Sequence, residues 1–380
     1  MAGPVADAGV AYNYPMPNSL ASALDVSASS VELTRQLCDI ESVSGNETVI
    51  ADAIENALGG LSHLELFRDG DAIVARTELG RDRRVVIAGH IDTVPVNGNL
   101  PTELRSSTSS GTAVYLWGRG TVDMKAGAAV QLKLAAELTA PAYDVTWIWY
   151  DHEEVDSSLN GLGRLARVRP DLLAGDFAIL CEPSNAAIEG GCNGTLRVDV
   201  KTSGKRAHAA RAWAGHNAIH DLAGVLSILE GYQPREVEVD GLVYREGLNA
   251  VTISGGVATN VIPDSATVHV NYRFAPSTSG EEAVAHLRQL FEGYDLEVID
   301  LAEGARPGLT SPLARDFVAA VGGEPLPKYG WTDVARFSAL GIPAVNFGPG
   351  DPILAHADDE RVPVDQIVSC EIALRGWLGG

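Results

Sequence analysis

The sequence predicts an α/β protein built on a mostly parallel sheet and interrupted by a βαββαβ insertion. Three observations predict it. Short, wholly apolar runs alternate with helical stretches towards both ends of the chain; the middle alternates apolar and polar residues in strand fashion; and 380 residues exceed the usual size of a single hydrophobic core.

The first 30 residues contain no Lys or Arg and mix Pro, Gly, Ser and Asn without a compact apolar stretch. Residues 1–28 are therefore expected as a loose N-terminal extension rather than a secretory signal. Ser29 and Glu32, with Val31, Leu33, Leu37 and Ile40, spell a capped amphipathic helix where folding begins. A second helix is expected over 48–58. The apolar runs 85–88, 145–150, 177–181 and 344–347 read as buried parallel strands, and 126–138 as an intervening helix.

Between these halves, 196–201 alternates, 217–230 is helical, 251–254 and 267–274 alternate, 281–291 is helical and 296–299 closes the series. That order is the ferredoxin-like split unit, complete in itself. The expected division is a first domain of 1–192 and 305–380 with an inserted domain of 193–304.

A formal charge of −22 disfavours nucleic acid and anionic membrane surfaces as partners. No apolar run approaches the roughly 18 residues that span a bilayer. Cys38, Cys181, Cys192 and Cys370 are scattered without a CxxC pair, which fits reduced thiols in a cytoplasm.

The apolar runs of the first domain end in polar residues of types able to bind a metal. Residues 85–88 lead into His90 and Asp92, 145–150 into Glu153 and Glu154, 177–181 into Glu182, and 344–347 towards His356; Asp123 ends a glycine-rich turn before a helix. In open α/β sheets ligands collect at the carboxyl ends of strands. Zinc favours imidazole nitrogen and carboxylate oxygen, and a zinc pair needs a shared carboxylate with terminal ligands on each ion, a demand that two His and three carboxylates meet. Asp92, two residues beyond His90, is placed to hold the imidazole by its second nitrogen. Glu153 is then the unligated acid beside the attacking water.

These residues carry a resemblance to the zinc aminoacylase and desuccinylase metallopeptidase family, running from about Val31 to the C-terminus. Its motifs stand here as Gly89-His90-Ile91-Asp92-Thr93-Val94-Pro95, Gly118-Arg119-Gly120-Thr121-Val122-Asp123-Met124-Lys125-Ala126-Gly127, Glu153-Glu154, Cys181-Glu182-Pro183-Ser184 and the late His356. The resemblance implies a zinc-peptidase-like first domain, an inserted domain that serves dimerisation, and two zinc ions per chain for which cobalt can substitute. Asp123 would bridge the ions, His90 and Glu182 would complete one site, and Glu154 and His356 the other. A cis peptide between Asp123 and Met124 is implied as well.

In the insert, the resemblance gives His208 the part of reaching across a homodimer to polarise the substrate carbonyl. It gives Asn260 and Arg273 the substrate's oxyanion and carboxylate, and Thr332 and Arg336 the first-domain part of the pocket. The implied reaction is hydrolysis of an acylated amino acid, with removal of an N-succinyl group from a diaminopimelate precursor the nearest likeness. Deacetylation of the acetylornithine type, dipeptide hydrolysis and a non-catalytic metal-binding relative stand as alternatives. Two departures from the family bear on this. His152 stands where many members carry Asp, and Gly191-Cys192-Asn193-Gly194 where many carry arginines.

Overall fold

The structure is a computed structural model that describes residues 23–107 and 113–380. Its main sheet has eight strands in the order Glu65–Asp69, Ala72–Arg76, Asp144–Tyr150, Arg84–His90, Phe177–Leu180, Ala344–Asn346, Glu189–Gly190, Leu326–Pro327. The four central strands run parallel, so their carboxyl ends share one edge of the sheet. The two strands at the Glu65 edge are antiparallel.

All seven residues of Asp144–Tyr150 are buried. Both faces of the sheet are covered, which is why these strands read as unbroken apolar runs rather than alternating ones. Val85, Ile87, Trp147 and Trp149 face one cluster with Ser30–Asp39, Thr48–Leu58, Lys125–Glu137, Pro312–Val321 and Val364–Gly379. Val86, Ala88, Ile148 and Tyr150 face another with Gly161–Val168 and Val334–Ala339. Trp149 is wholly buried and its indole N–H donates to Ala128 O at 3.2 Å, so the ring keys the Lys125–Glu137 helix to the sheet. Truncating such a side chain to Ala costs about 3–5 kcal/mol.

The first helix begins as its cap predicts, with Ser29 Oγ accepting the Glu32 N–H at 3.2 Å. Of the segment expected to be loose, residues 1–22 lie outside the described residues. The remainder is packed: Leu24 joins the core, and Lys133 Nζ donates to Ala28 O at 2.8 Å. Attachment to the fold thus begins ahead of the first helix, because an apolar side chain and a main-chain carbonyl there both find partners.

The middle of the chain forms a separate four-stranded antiparallel sheet in the order Gly247–Gly255, Ser265–Phe274, Gly194–Ser203, Asp295–Ala302. Counted along the chain this is strand order 2-3-1-4, the ferredoxin-like arrangement. Helices Ala218–Gly231 and Gly280–Leu290 bury one face against it and share a core with Leu196, Val198, Val268 and Val270. Ser279 and Glu282 close a capping box on the second helix. A hairpin of Glu236–Val239 and Leu242–Arg245 lies between the first helix and Gly247–Gly255.

Candidate metal centre

Parallel strands deliver the polar residues. His90 is the last residue of Arg84–His90, the Asp151–Glu154 turn follows Asp144–Tyr150, Glu182 follows Phe177–Leu180, and His356 follows Ala344–Asn346 by a loop with a short helical turn at Pro352–Leu354. Asp123 sits just before Lys125–Glu137 and is joined to Met124, the residue that caps that helix, by a cis peptide. The glycines of these motifs mark close approaches. A Cβ on Gly127 would stand 2.1 Å from Cys181 O, so only glycine lets this helix lie against the segment that carries Glu182.

Asp123 stands between the two histidines. His90 Nε2 lies 3.1 Å from Asp123 Oδ1, and His356 Nε2 lies 3.4 Å from Asp123 Oδ2 and 3.0 Å from Glu154. One ligand atom each from His90, Asp123 and Glu154 falls within 4.8 Å of the others. Asp92 does more than hold the imidazole. Its nearer contact to His90 Nδ1 is its own backbone carbonyl at 3.0 Å, with the carboxylate at 3.4 Å. A carbonyl can only accept, so Nδ1 carries a proton and Nε2 is the nitrogen turned towards Asp123. The carboxylate itself accepts Glu153 N–H and Glu154 N–H, each at 3.0 Å, and the Ser44 hydroxyl at 2.6 Å.

The electrostatics describe a pocket with too many carboxylates for its cations. Burial and neighbouring Asp123 push Glu182 up to about 8. Glu153 is raised well above the carboxylate range by burial and by Asp333, Glu182 and Glu154, against the pull of His90. Burial disfavours the His90 imidazolium, yet hydrogen bonds to Asp123 and Asp92 prevail and raise it well above its usual value. His356, paired with Asp123 and Glu154, is raised to about 10. Imidazole nitrogens facing carboxylate oxygens, with further buried acids around them, suit divalent cations in both donor chemistry and charge.

The remaining expected residues stand outside the His90–Asp123–Glu154 cluster. His208 and Asn260 are exposed neighbours on the insert, where Ala209 N–H donates to Asn260 O at 2.8 Å. Arg273 is half-buried and has no ion pair among the described residues. Thr332 is buried and donates to Asn346 Oδ1 at 2.9 Å. Arg336 pairs through Nε with Asp333 and lies 5.5 Å from the Trp331 ring centroid, while its buried Nη2 has no hydrogen-bond partner among the described residues.

Sequence reasoning did not single out Glu47, Arg119 or Glu360 as part of the site. Glu47 is fully buried and accepts His152 N–H at 3.2 Å, which steadies the turn that carries Glu153. Arg119 lies inside the Gly118–Asp123 motif and Glu360 four residues beyond His356, and that proximity to ligands was the available signal.

A family model described as peptidase family M20/M25/M40 matches residues 86–378. Succinyl-diaminopimelate desuccinylase of Corynebacterium glutamicum is 46% identical over 374 residues, covering 96% of this chain and 100% of the relative. A Mycobacterium tuberculosis relative, named provisionally for the same activity, is 52% identical over 360 residues, 94% of this chain and 100% of its own. Among solved structures, a tripeptidase from Staphylococcus aureus aligns with a TM-score of 0.74 at 21% identity, covering 94% of this chain and 98% of that one.

Proposed function

The chain belongs to peptidase family M20/M25/M40, and on that premise we propose that it hydrolyses N-succinyl-LL-2,6-diaminopimelate to succinate and LL-2,6-diaminopimelate. The observation that carries the reading is Asp123, whose two carboxylate oxygens face His90 and His356 from opposite sides. The names of the two relatives, aligned over their whole length, support the succinyl substrate.

In this reading Asp123, His90 with Glu182, and Glu154 with His356 would hold two zinc ions, replaceable by cobalt, with Asp123 shared by the two sites. When bound, such ions would supply a Lewis acid for the scissile carbonyl and lower the pKa of the attacking water. Glu153 takes the proton of that water and returns it to the leaving amine. Asp92 keeps Glu153 and His90 in register. Asn260 and Arg273 hold the oxyanion and the substrate carboxylate, and Thr332 and Arg336 line the pocket in the first domain.

His208 of the partner subunit polarises the carbonyl in a homodimer. Support for such a pairing comes from Gly247–Gly255, an edge strand with Val251 59% and Ile253 52% exposed. A second copy added there would cover the unpaired edge. Sedimentation that found only monomer at assay concentrations would exclude His208 in trans.

The activity is tested on metal-stripped protein restored with two equivalents of zinc and offered succinyl-diaminopimelate, acetylornithine and simple dipeptides. Turnover of the first with little of the others is expected. Preference for acetylornithine or a dipeptide would move the chain to another substrate of the family, and bound metal without any amidase activity would make it a binder.

A further inference from the structure

Arg119 and Glu360 form a buried ion pair, Nη1 to Oε2 at 2.8 Å, with side chains only 4% and 1% exposed. The other carboxylate oxygen of Glu360 accepts the backbone N–H of Val122 at 2.9 Å and of Asp123 at 3.1 Å. Gly118 N–H donates to Glu360 O at 3.0 Å. One residue therefore grips both ends of the turn that presents Asp123. In the opposite direction, the Arg119 guanidinium reaches Ala357 O at 3.3 Å and His356 O at 3.5 Å.

The pair is a cross-brace between two loops, one carrying Asp123 and the other His356, whose braced residues lie 241 positions apart in sequence. A buried ion pair is poor evidence of stabilisation, because desolvation of both charges offsets their attraction. Its effect on geometry is another matter. Arg119 binds two carbonyls of one loop and the carboxylate that fixes the other, which a pair of apolar side chains could not do.

We propose that Arg119 and Glu360 are positioning residues that set the separation of Asp123 and His356, and thereby the affinity for the divalent ion on the His356 side. The proposal rests on the reading above that these residues bind metal. Second-layer groups of this kind change metal affinity by about 10- to 100-fold when altered.

Two variants separate positioning from folding. Arg119→Met/Glu360→Gln removes both charges at similar volume, which leaves stability near wild type. Arg119→Lys keeps the ion pair but cannot reach both carbonyls at once. Metal-free full-length proteins are titrated with Co²⁺, following its visible absorption, and their thermal unfolding is recorded alongside. The expected result is two cobalt ions on the wild type, and on both variants one bound normally and one about 10- to 100-fold more weakly with an altered spectrum. Unfolding temperatures of the metal-free forms should stay within a few degrees. Wild-type affinity for both ions in either variant overturns the proposal while leaving the metal reading intact; so does weakened binding that appears only together with unfolding of both variants. A wild type that binds no cobalt would overturn the metal reading and this proposal together.

Discussion

The carboxylate of Asp92 accepts the backbone N–H of Glu153 at 3.0 Å. Its second oxygen does the same for Glu154, also at 3.0 Å, while Asp92 remains 3.4 Å from the His90 ring. One buried acid thus orients a proposed ligand on one strand end and the proposed base on the next. In Asp92→Asn, one of the two N–H groups meets an amide NH₂ instead of an acceptor, so the Glu153–Glu154 turn must shift. The expected loss is about 10- to 100-fold in kcat/KM with metal content largely retained. Steady-state kinetics with metal analysis checks this; unchanged kinetics would show that the turn is held by other contacts.

Much of this arrangement was legible in the chain because strands buried on both faces must be apolar throughout, which makes the polar residue after each one conspicuous. His90, Glu154 and Glu182 stand out in that way as candidate ligands, and the fold brings His90 and Glu154 together with Asp123. The partners that fix them were not, because Glu47, Ser44 and Glu360 act through tertiary contacts that spacing does not encode. The hairpin turning at Asp240–Gly241 was passed over although Asp-Gly favours such turns, and both residues take positive φ, 50° and 88°. Its first strand alternates Glu and Val, its second reads Leu-Val-Tyr-Arg, and the core they face is small, so periodicity alone is a faint guide. Arg336 is expected in the first-domain part of the pocket, and the ion pair that Asp333 makes with its Nε is visible only in the folded chain.

Gly127 shows how a motif glycine serves geometry. A methyl group there would meet Cys181 O at 2.1 Å, against backbone that cannot rotate away, so Gly127→Ala must push the helix off the Glu182 segment. Such overpacking costs about 1–3 kcal/mol, read as a lower unfolding temperature of the metal-free protein. Gly376 is the control, since a Cβ there meets nothing within 4 Å on an exposed helical face. Gly376→Ala should be neutral or stabilise by up to about 1 kcal/mol. Equal effects of the two substitutions would contradict the close approach.

Asp144, at the start of its strand, accepts Leu79 N–H at 2.7 Å, Arg81 N–H at 2.8 Å and the Thr77 hydroxyl at 3.0 Å. Burial opposes its charge, but these donors outweigh burial and hold the carboxyl below its usual pKa. A lowered folded pKa contributes stability that is fully present above the unfolded value near 3.9, and that is lost as pH falls through the folded value. Asp144→Asn should therefore cost about 1.5–3 kcal/mol near pH 7. The gap should close below about pH 4 as the wild type protonates. Urea unfolding of metal-free protein at several pH values measures it, and a deficit that persists undiminished under acid would assign the effect to shape rather than charge.

Glu153 is held by its backbone N–H, through Asp92, and its side chain has no hydrogen-bond partner among the described residues, so its carboxylate can be altered without moving the neighbouring Glu154. That separation makes Glu153→Gln a clean test of proton transfer. The amide keeps the volume and polarity of the side chain but cannot accept the water's proton at neutral pH. General base catalysis by a positioned side chain contributes about 100- to 10,000-fold, and kcat should fall by that factor while KM and the number of bound metal ions stay close to wild type. A ligand would behave differently, since its loss would lower metal content first and turnover as a consequence. If Glu153→Gln loses metal in step with activity, Glu153 belongs among the ligands; if it keeps turnover, another group carries the proton.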